Sequence, residues 1–204
     1  MKKTKYKVRN AAFTDAQEIF NLIKSHPEEL LARPVSEIVQ SIDRFLVCEK
    51  GGRVVGTISW QILPEIGLTK RPSVEIKSFA VAEEYQRQGI GRALVEAAIG
   101  RIRTLAPGQV IALTFRPDFF RKLGFREVPK RTLMHKLYMG CLNCSKYNSP
   151  FTCPEVAMAL TLSATQDCYV TVLNLTANDT VRVLLPNALR KESRLKAGEV
   201  VTFP

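Results

Sequence analysis

The chain has 204 residues, 46% hydrophobic and 24% charged, which suits a globular domain with room for an appendage and excludes a disordered tail, a collagen-like chain or a disulfide mini-scaffold. Its formal charge of +11 is uneven: residues 1–136 carry 24 basic and 14 acidic side chains, a net of +10, leaving +1 for residues 137–204. Such a field attracts phosphates, carboxylates or nucleic acid without choosing among them, and solvated surface is an equal reading until a motif decides.

No stretch approaches the ~18 apolar residues of a membrane span, and the basic start from Met1 to Lys7 has no apolar core behind it. These features predict a cytoplasmic protein without a membrane partner. Its five cysteines are then expected as thiols or metal ligands rather than a disulfide framework.

Thr14-Asp15-Ala16-Gln17 has capping-box spacing and predicts a helix that buries Ala16, Ile19, Phe20 and Ile23. Ser36 is the expected cap of a second short helix over 36–42. Residues 45–49 and 54–60 are β-rich runs flanking Gly51-Gly52, a hairpin signal, and 74–81 reads as a third strand. An amphipathic helix over 93–102 follows Tyr85-Gln86-Arg87-Gln88-Gly89-Ile90-Gly91-Arg92. Residues 110–115 then form a strand, and 117–124 a short helix with Gly124 as its C-cap. From Cys141 the character changes. Cys141, Cys144 and Cys153 bracket a polar, loop-like stretch, Glu155 to Met158 reads as the start of a short helix, and 169–173, 181–185 and 200–203 are β-rich. The expected division is a main domain over 1–140, a cysteine-containing segment over 141–168 and a β-rich extension over 169–204.

The stretch from strand through glycine turn to helix carries the most information. That order brings unpaired backbone N–H groups and the positive end of a helix to one spot, so Gln86, Arg87, Gln88, Gly89, Ile90, Gly91 and Arg92 are candidate ligands of an anion such as a phosphate. A dinucleotide fingerprint would need a third glycine and a ribose-binding acid, and a Walker loop would need Gly-Lys-Ser/Thr; the turn has neither.

Gln86-x-x-Gly89-x-Gly91 resembles the acetyl-CoA turn of the Gcn5-related N-acetyltransferases (GNAT), and Lys122-Leu123-Gly124-Phe125 resembles a second element of that family, over about residues 6–136. The resemblance implies an α/β (α+β) fold, a mixed, mostly antiparallel sheet flanked by helices, with acetyl-CoA as cosubstrate. It also implies that the strand from Glu75 to Val81 splays from the one near 110–114. Main-chain groups at Phe79, Ala80 and Val81 would then hydrogen-bond the acetyl and pantetheine groups as an added strand does. The run from Ile111 to Phe125, His135-Lys136-Leu137-Tyr138, Cys141-x-x-Cys144 and Cys153-x-Glu155-Val156-Ala157-Met158 are similar to the short, single-domain bacterial N-acetylglutamate synthases. That closer resemblance extends to about Leu160. It implies direct acetyl transfer, in a ternary complex, to the α-amine of L-glutamate at the opening of arginine biosynthesis.

A dicarboxylate acceptor calls for cationic anchors, and the candidates are Arg116, Arg33 and Lys77. Glu75 shares a strand face with Lys77 and is the candidate proton acceptor, with a plain Glu75–Lys77 ion pair as the alternative. Phe120 stands where many relatives use Tyr to protonate the leaving thiolate, which leaves Thr114 or water for that task. Cys141, Cys144 and Cys153 supply three ligands of a structural zinc, with Cys168 or His135 as a fourth, or they are packed or free thiols. One Cys-x-x-Cys without a second favours thiols, and no metal is assigned. Cys48 reads as core, and His26 and His135 as structural. Two alternatives stay open: acetylation of another amine, and a non-catalytic acetyl-CoA-binding regulator. A nucleic-acid module lacks aromatic–basic interleaving and a recognition helix; homo-oligomerisation is left open.

Overall fold

The structure, a computed structural model, describes residues 6–63, 71–142 and 144–161, together with four short strands between 168 and 195. The chain divides into two compact units, Met1–Thr161 and Leu162–Pro204. In the first, β1 (Lys7–Asn10), β2 (Phe45–Lys50), β3 (Arg53–Leu63) and β4 (Ser73–Val81) are antiparallel neighbours. β4 runs parallel to β5 (Gln109–Thr114), and β6 (Arg126–Glu127) and β7 (Val156–Leu160) complete a seven-stranded sheet in the order β1-β2-β3-β4-β5-β7-β6. The mixed, mostly antiparallel sheet is the one expected.

Helices cover both faces, and the strand period shows how. Phe45 and Val47 of β2 pack with Ala16, Ile19 and Ile23 of α1 (Ala16–Lys24) and Ile38 of α2 (Val35–Gln40). The alternate residue Cys48, with Gly56 of β3, faces α3 (Ile90–Arg103) instead. Glycine at 56 lets α3 pack closely on β3: a Cβ there would sit 2.9 Å from Leu94 Cδ1 and 3.1 Å from Ile90 Cγ2, and those side chains would have to shift. A smaller core of Leu63, Ile111, Leu133, Ala157 and Ala159 lies toward the β7 side.

The hairpin forms as expected, with Gly51 and Gly52 at φ +61 and +76, the positive values of a type I′ turn. Two helix caps differ. Thr14 lies in a single 3-10 turn, Phe13–Asp15, which precedes α1; the Asp15 carboxylate accepts the Ala12 N–H at 2.7 Å and is forked by Arg9 of β1. α2 starts at Val35 after Pro34, and Ser36 lies inside it without capping it. The stretch from Glu155 to Met158 is no helix start: Val156–Leu160 is β7, fully paired with β5.

α4 (Pro117–Arg121) buries Phe120, 3% exposed, in a cluster where its ring lies 6.1, 5.3 and 5.1 Å from those of Phe79, Phe119 and Phe125. Phe120→Ala is expected to destabilise the fold by about 3–5 kcal/mol, read as a lowered denaturation midpoint; an unchanged midpoint would mean the cluster carries no packing energy. In the second unit, β8 (Cys168–Tyr169) pairs with β11 (Arg194–Leu195), and β9 (Val172–Leu175) with β10 (Val181–Leu185). The β-rich run over 200–203 lies outside the described residues, as do the side chains of the extension. Among the described residues no helix is long and apolar enough to cross a membrane, and no group of three or more His, Cys, Asp or Glu is placed to hold a metal ion.

Candidate active site

β4 and β5 pair only from Ser73 to Glu75 against Gln109 to Ile111, although β4 continues to Val81 and β5 to Thr114. The two strands therefore splay. β4 also carries a bulge, because Thr57 and Ser59 of β3 face Ala80 and Lys77, leaving an extra residue on β4. Ser78 sits there at φ +48, a left-handed conformation unusual for a serine, and the bulge re-aims the main chain around Ser78 and Phe79 toward the gap.

The glycine turn closes one end of this fork. Arg87 at φ +58 and Gly89 at φ +85 curl the chain into the N-terminus of α3. The amides from Arg87 to Arg92 have no backbone acceptor among the described residues; Ala93 N–H is the first to return, to Gly89 C=O at 3.0 Å. Gly91 serves a different need: a Cβ there would lie 3.2 Å from the Phe79 ring, so glycine lets α3 approach β4. The polar side chains brace the turn. Gln86 Nε2 donates to Val81 C=O at 3.1 Å, Gln88 Nε2 to Glu84 C=O at 3.0 Å, and Lys50 Nζ to Gln88 Oε1 at 3.1 Å. Arg92 pairs with Glu96 on α3, and Ile90 is buried. The Val81 carbonyl, expected free, is thus taken by Gln86, and His26 Nε2 lies 3.2 Å from it.

Where the strands diverge, a cleft of about 130 Å³ opens, lined by Glu75, Ile76, Lys77 and Ser78 from β4 and by Leu113 and Phe115 from the β5 end. The loop after α1 adds Glu29, Leu30, Leu31 and Arg33; the far wall is Lys136, Gly140, Cys141, Cys144, Lys146, Tyr147 and Glu155. That wall is tied down, with Lys146 donating to Pro27 C=O and Lys130 to the carbonyls of Pro150 (3.0 Å) and Cys153.

The structure brings together three expected residues, Glu75, Lys77 and Arg33, but not as first paired. Glu75, 4% exposed, gives Oε1 to Lys136 Nζ at 2.8 Å, while its Oε2 and Ser78 Oγ are buried without a partner among the described residues. Lys77 Nζ donates to Gln61 Oε1 at 2.7 Å. Burial pushes its ammonium down to about 8, against the opposing field of Glu75. Arg33 is paired with Glu37. Arg116 stands outside the cleft lining, 73% exposed and bound to Glu29 at 2.5 Å, and Thr114 Oγ1 accepts the Arg116 N–H at 2.9 Å. Burial raises the Glu155 carboxyl and the Cys141 and Cys153 thiols above their ordinary values. Lys136, Lys146 and Glu155 were missed as site residues. Lys136 and Glu155 both lie within the runs that carry the family resemblance, but neither spacing nor periodicity singles them out.

A strand fork, a bulged strand and a ring of free amides at the start of a 14-residue helix suit a long ligand carrying phosphates at one end and amides along its arm. Comparison with known proteins agrees. The acetyltransferase (GNAT) domain profile matches residues 41–127, and residues 155–204 match a domain of unknown function (DUF4384). An uncharacterized N-acetyltransferase of Chlorobaculum tepidum is 34% identical over 157 residues, spanning 76% of this chain and 96% of that protein. This chain belongs to the GNAT family of N-acetyltransferases. An amino-acid acetyltransferase of Mycobacterium tuberculosis is 29% identical over 126 residues, 59% of this chain and 68% of that one. The crystal structure of the Neisseria gonorrhoeae N-acetylglutamate synthase, complexed with coenzyme A and N-acetyl-glutamate, superposes with a TM-score of 0.63 at 21% identity, over 79% of this chain and 36% of that one. As a GNAT protein the chain transfers an acetyl group from acetyl-CoA to an amine, and the glycine turn with its open amides fits that cosubstrate.

Proposed function

We propose that the acceptor is a small anionic amino acid, L-glutamate in the first place, acetylated directly from acetyl-CoA in a ternary complex. The observation that carries this reading is the cleft at the β4–β5 fork, where Arg33 and Lys77 stand with Glu75, whose buried Oε2 has no hydrogen-bond partner among the described residues. Arg33 and Lys77 hold the carboxylates, and Glu75 takes the ammonium proton directly or through water, leaving a neutral amine to attack the acetyl carbonyl. A main-chain N–H at the β4 bulge, around Phe79, Ala80 and Val81, meets the developing oxyanion. The amides from Arg87 to Arg92 hold the phosphates of acetyl-CoA, while Gln86, whose N–H goes to Glu83 C=O at 3.2 Å, braces the turn through its side chain.

Phe120 has no hydroxyl and is buried, so proton delivery to the departing thiolate falls to Thr114, whose oxygen accepts the Arg116 N–H and keeps its own proton to give, or to water. Arg116 is held by Glu29 at the cleft's edge and assists a carboxylate only when that pair opens. Support comes from the amino-acid acetyltransferase and N-acetylglutamate synthase among the similar proteins. The remaining sequence expectations, a place in arginine biosynthesis and in the cytoplasm, follow from this reading.

The test is release of CoA thiol from acetyl-CoA with a panel of amino acids, polyamines and a peptide N-terminus. Turnover with L-glutamate above all others supports the proposal; turnover with a cationic amine or peptide alone overturns the acceptor, and binding without turnover turns attention to a regulatory role.

Lys77 adds a pH signature. With its ammonium titrating at about 8, the anchor is charged below that pH and neutral above it. The KM for an anionic acceptor is therefore expected to rise as pH passes 8, while that for acetyl-CoA stays level. Lys77→Met should raise the acceptor KM roughly 10- to 100-fold at pH 7, the value of one charge-assisted hydrogen bond, and remove the pH dependence. An acceptor KM indifferent to both changes would discard Lys77 as an anchor.

A further inference from the structure

Lys136 belongs to none of the roles above, yet its ammonium reaches the floor of the cleft. It leaves the helical turn Met134–Lys136 and ends 2.8 Å from Glu75 Oε1, the two side chains being 12% and 5% exposed. An ion pair this dry costs desolvation, and one kept for stability alone would be expected to satisfy both carboxylate oxygens. This one satisfies a single oxygen: Glu75 Oε2 is buried and has no partner among the described residues.

A second feature shows that the chain makes room for the ammonium. Gly140 lies in the π-helical segment Leu137–Cys141, and a Cβ there would stand 2.9 Å from Lys136 Nζ. Gly140 is absent from the residues of positive φ, so its backbone does not demand glycine, and the first atom that added bulk at 140 would displace is the Lys136 ammonium. Lys136 and Gly140 both line the cleft.

We infer that Lys136 is a positioning residue of the acetyl transfer, holding the Glu75 carboxylate by Oε1 so that Oε2 stays turned to the acceptor's amine. The inference rests on Glu75 being the proton acceptor. Other charged or titratable groups around the pair are Lys77 on the same strand, Arg33 ahead of α2 and Glu37 on it, Glu29 after α1, Glu155 ahead of β7, Lys130, Lys146 and Tyr147, the thiols of Cys141, Cys144 and Cys153, and His135 beside Lys136. Glu155 is an acid of the same charge as Glu75, and the two repel. Taking away the Lys136 ammonium leaves Glu75 with more burial and more negative field, and it binds a proton more readily.

The experiment is the pH profile of kcat/KM for L-glutamate, or for whichever acceptor the panel identifies, in the full chain. Lys136→Met is expected to lose at least tenfold in rate at pH 7 and to recover as pH rises, its acid limb displaced upward by about one to three pH units. The KM for acetyl-CoA should not change. Lys136→Arg should restore much of the limb, and Gly140→Ala, which crowds the ammonium, should move it in the direction of Lys136→Met. If Lys136→Met does not fold, the other two variants carry the same readout. A wild-type limb and rate in the folded variants, with Glu75→Gln slow in the same assay, would overturn the inference and leave Glu75 in place. Wild-type turnover in Glu75→Gln would remove the reading of Glu75 itself.

Discussion

Gly89→Trp is expected to raise the Kd for acetyl-CoA by two orders of magnitude or more while lowering the thermal midpoint by only about 2–8 °C. Gly89 holds φ +85 at the exposed entrance to α3, a conformation that costs an L-residue roughly 1–2 kcal/mol. The larger effect is steric. The Tyr6 hydroxyl, 3.6 Å away, is the one neighbour within 4 Å of a Cβ there among the described residues, so an indole has room beside the open amides and is expected to cover them. Each hydrogen bond to a charged acceptor lost there is worth about 1.5–3 kcal/mol, and two such losses give the stated change. Gly89→Ala separates strain from blockage, since its methyl meets only the Tyr6 hydroxyl and should weaken binding far less. Calorimetric titration with acetyl-CoA measures both. Wild-type affinity in Gly89→Trp would mean that the phosphates bind elsewhere, and the assignment of the turn would fall.

Glu75→Gln should lower kcat about 10²- to 10⁴-fold, the range a general base supplies, with the KM for acetyl-CoA unchanged. The amide keeps the shape of the carboxylate and an oxygen for Lys136 but cannot take the amine's proton. The deficit should be greatest near neutral pH and shrink as pH rises, because the acceptor's ammonium then loses its proton to solvent. The substitution also leaves the Lys136 ammonium without its counter-charge at a site about one-tenth exposed, so a lower midpoint is expected beside the lost rate. Assay well below that midpoint keeps the two apart. Full activity in a folded Glu75→Gln would assign the proton to water and leave Glu75 a structural acid.

What could be read from the sequence was whatever a few neighbouring residues decide. Gly51-Gly52 sets the hairpin by its own φ values, and Gly89 with Gly91 sets the turn, one by conformation and the other by the ring it faces. Where a distant partner decides, local pattern failed. Asp15 was read past in favour of Thr14 because Arg9, which forks its carboxylate, lies on another element. Val156–Leu160 has no alternation and contains Ala and Met, good helix formers; it is a strand because β5 lies on one side and β6 on the other, so pairing overrode propensity. The site divided in the same way. Glu75 and Lys77 share a strand and were legible together, whereas Lys136 reaches Glu75 only through the packing of the helical turn against β4. Arg116, placed by its position just past β5, is drawn off by Glu29.

β7 has a practical consequence for anyone cutting this chain. The family match ends at residue 127, yet the strand that fills the place between β5 and β6 arrives only at residues 156–160. A fragment stopped at 127, or at the cysteine segment, would leave every outward amide and carbonyl from Val110 to Thr114 bare on a flat apolar edge. Such an edge recruits other strands and aggregates. The shortest catalytic piece to express is therefore the one that runs to Thr161, where the first compact unit closes. The sequence matched by the domain of unknown function begins at residue 155, so the strand that completes the first unit's sheet falls inside that second match rather than the first.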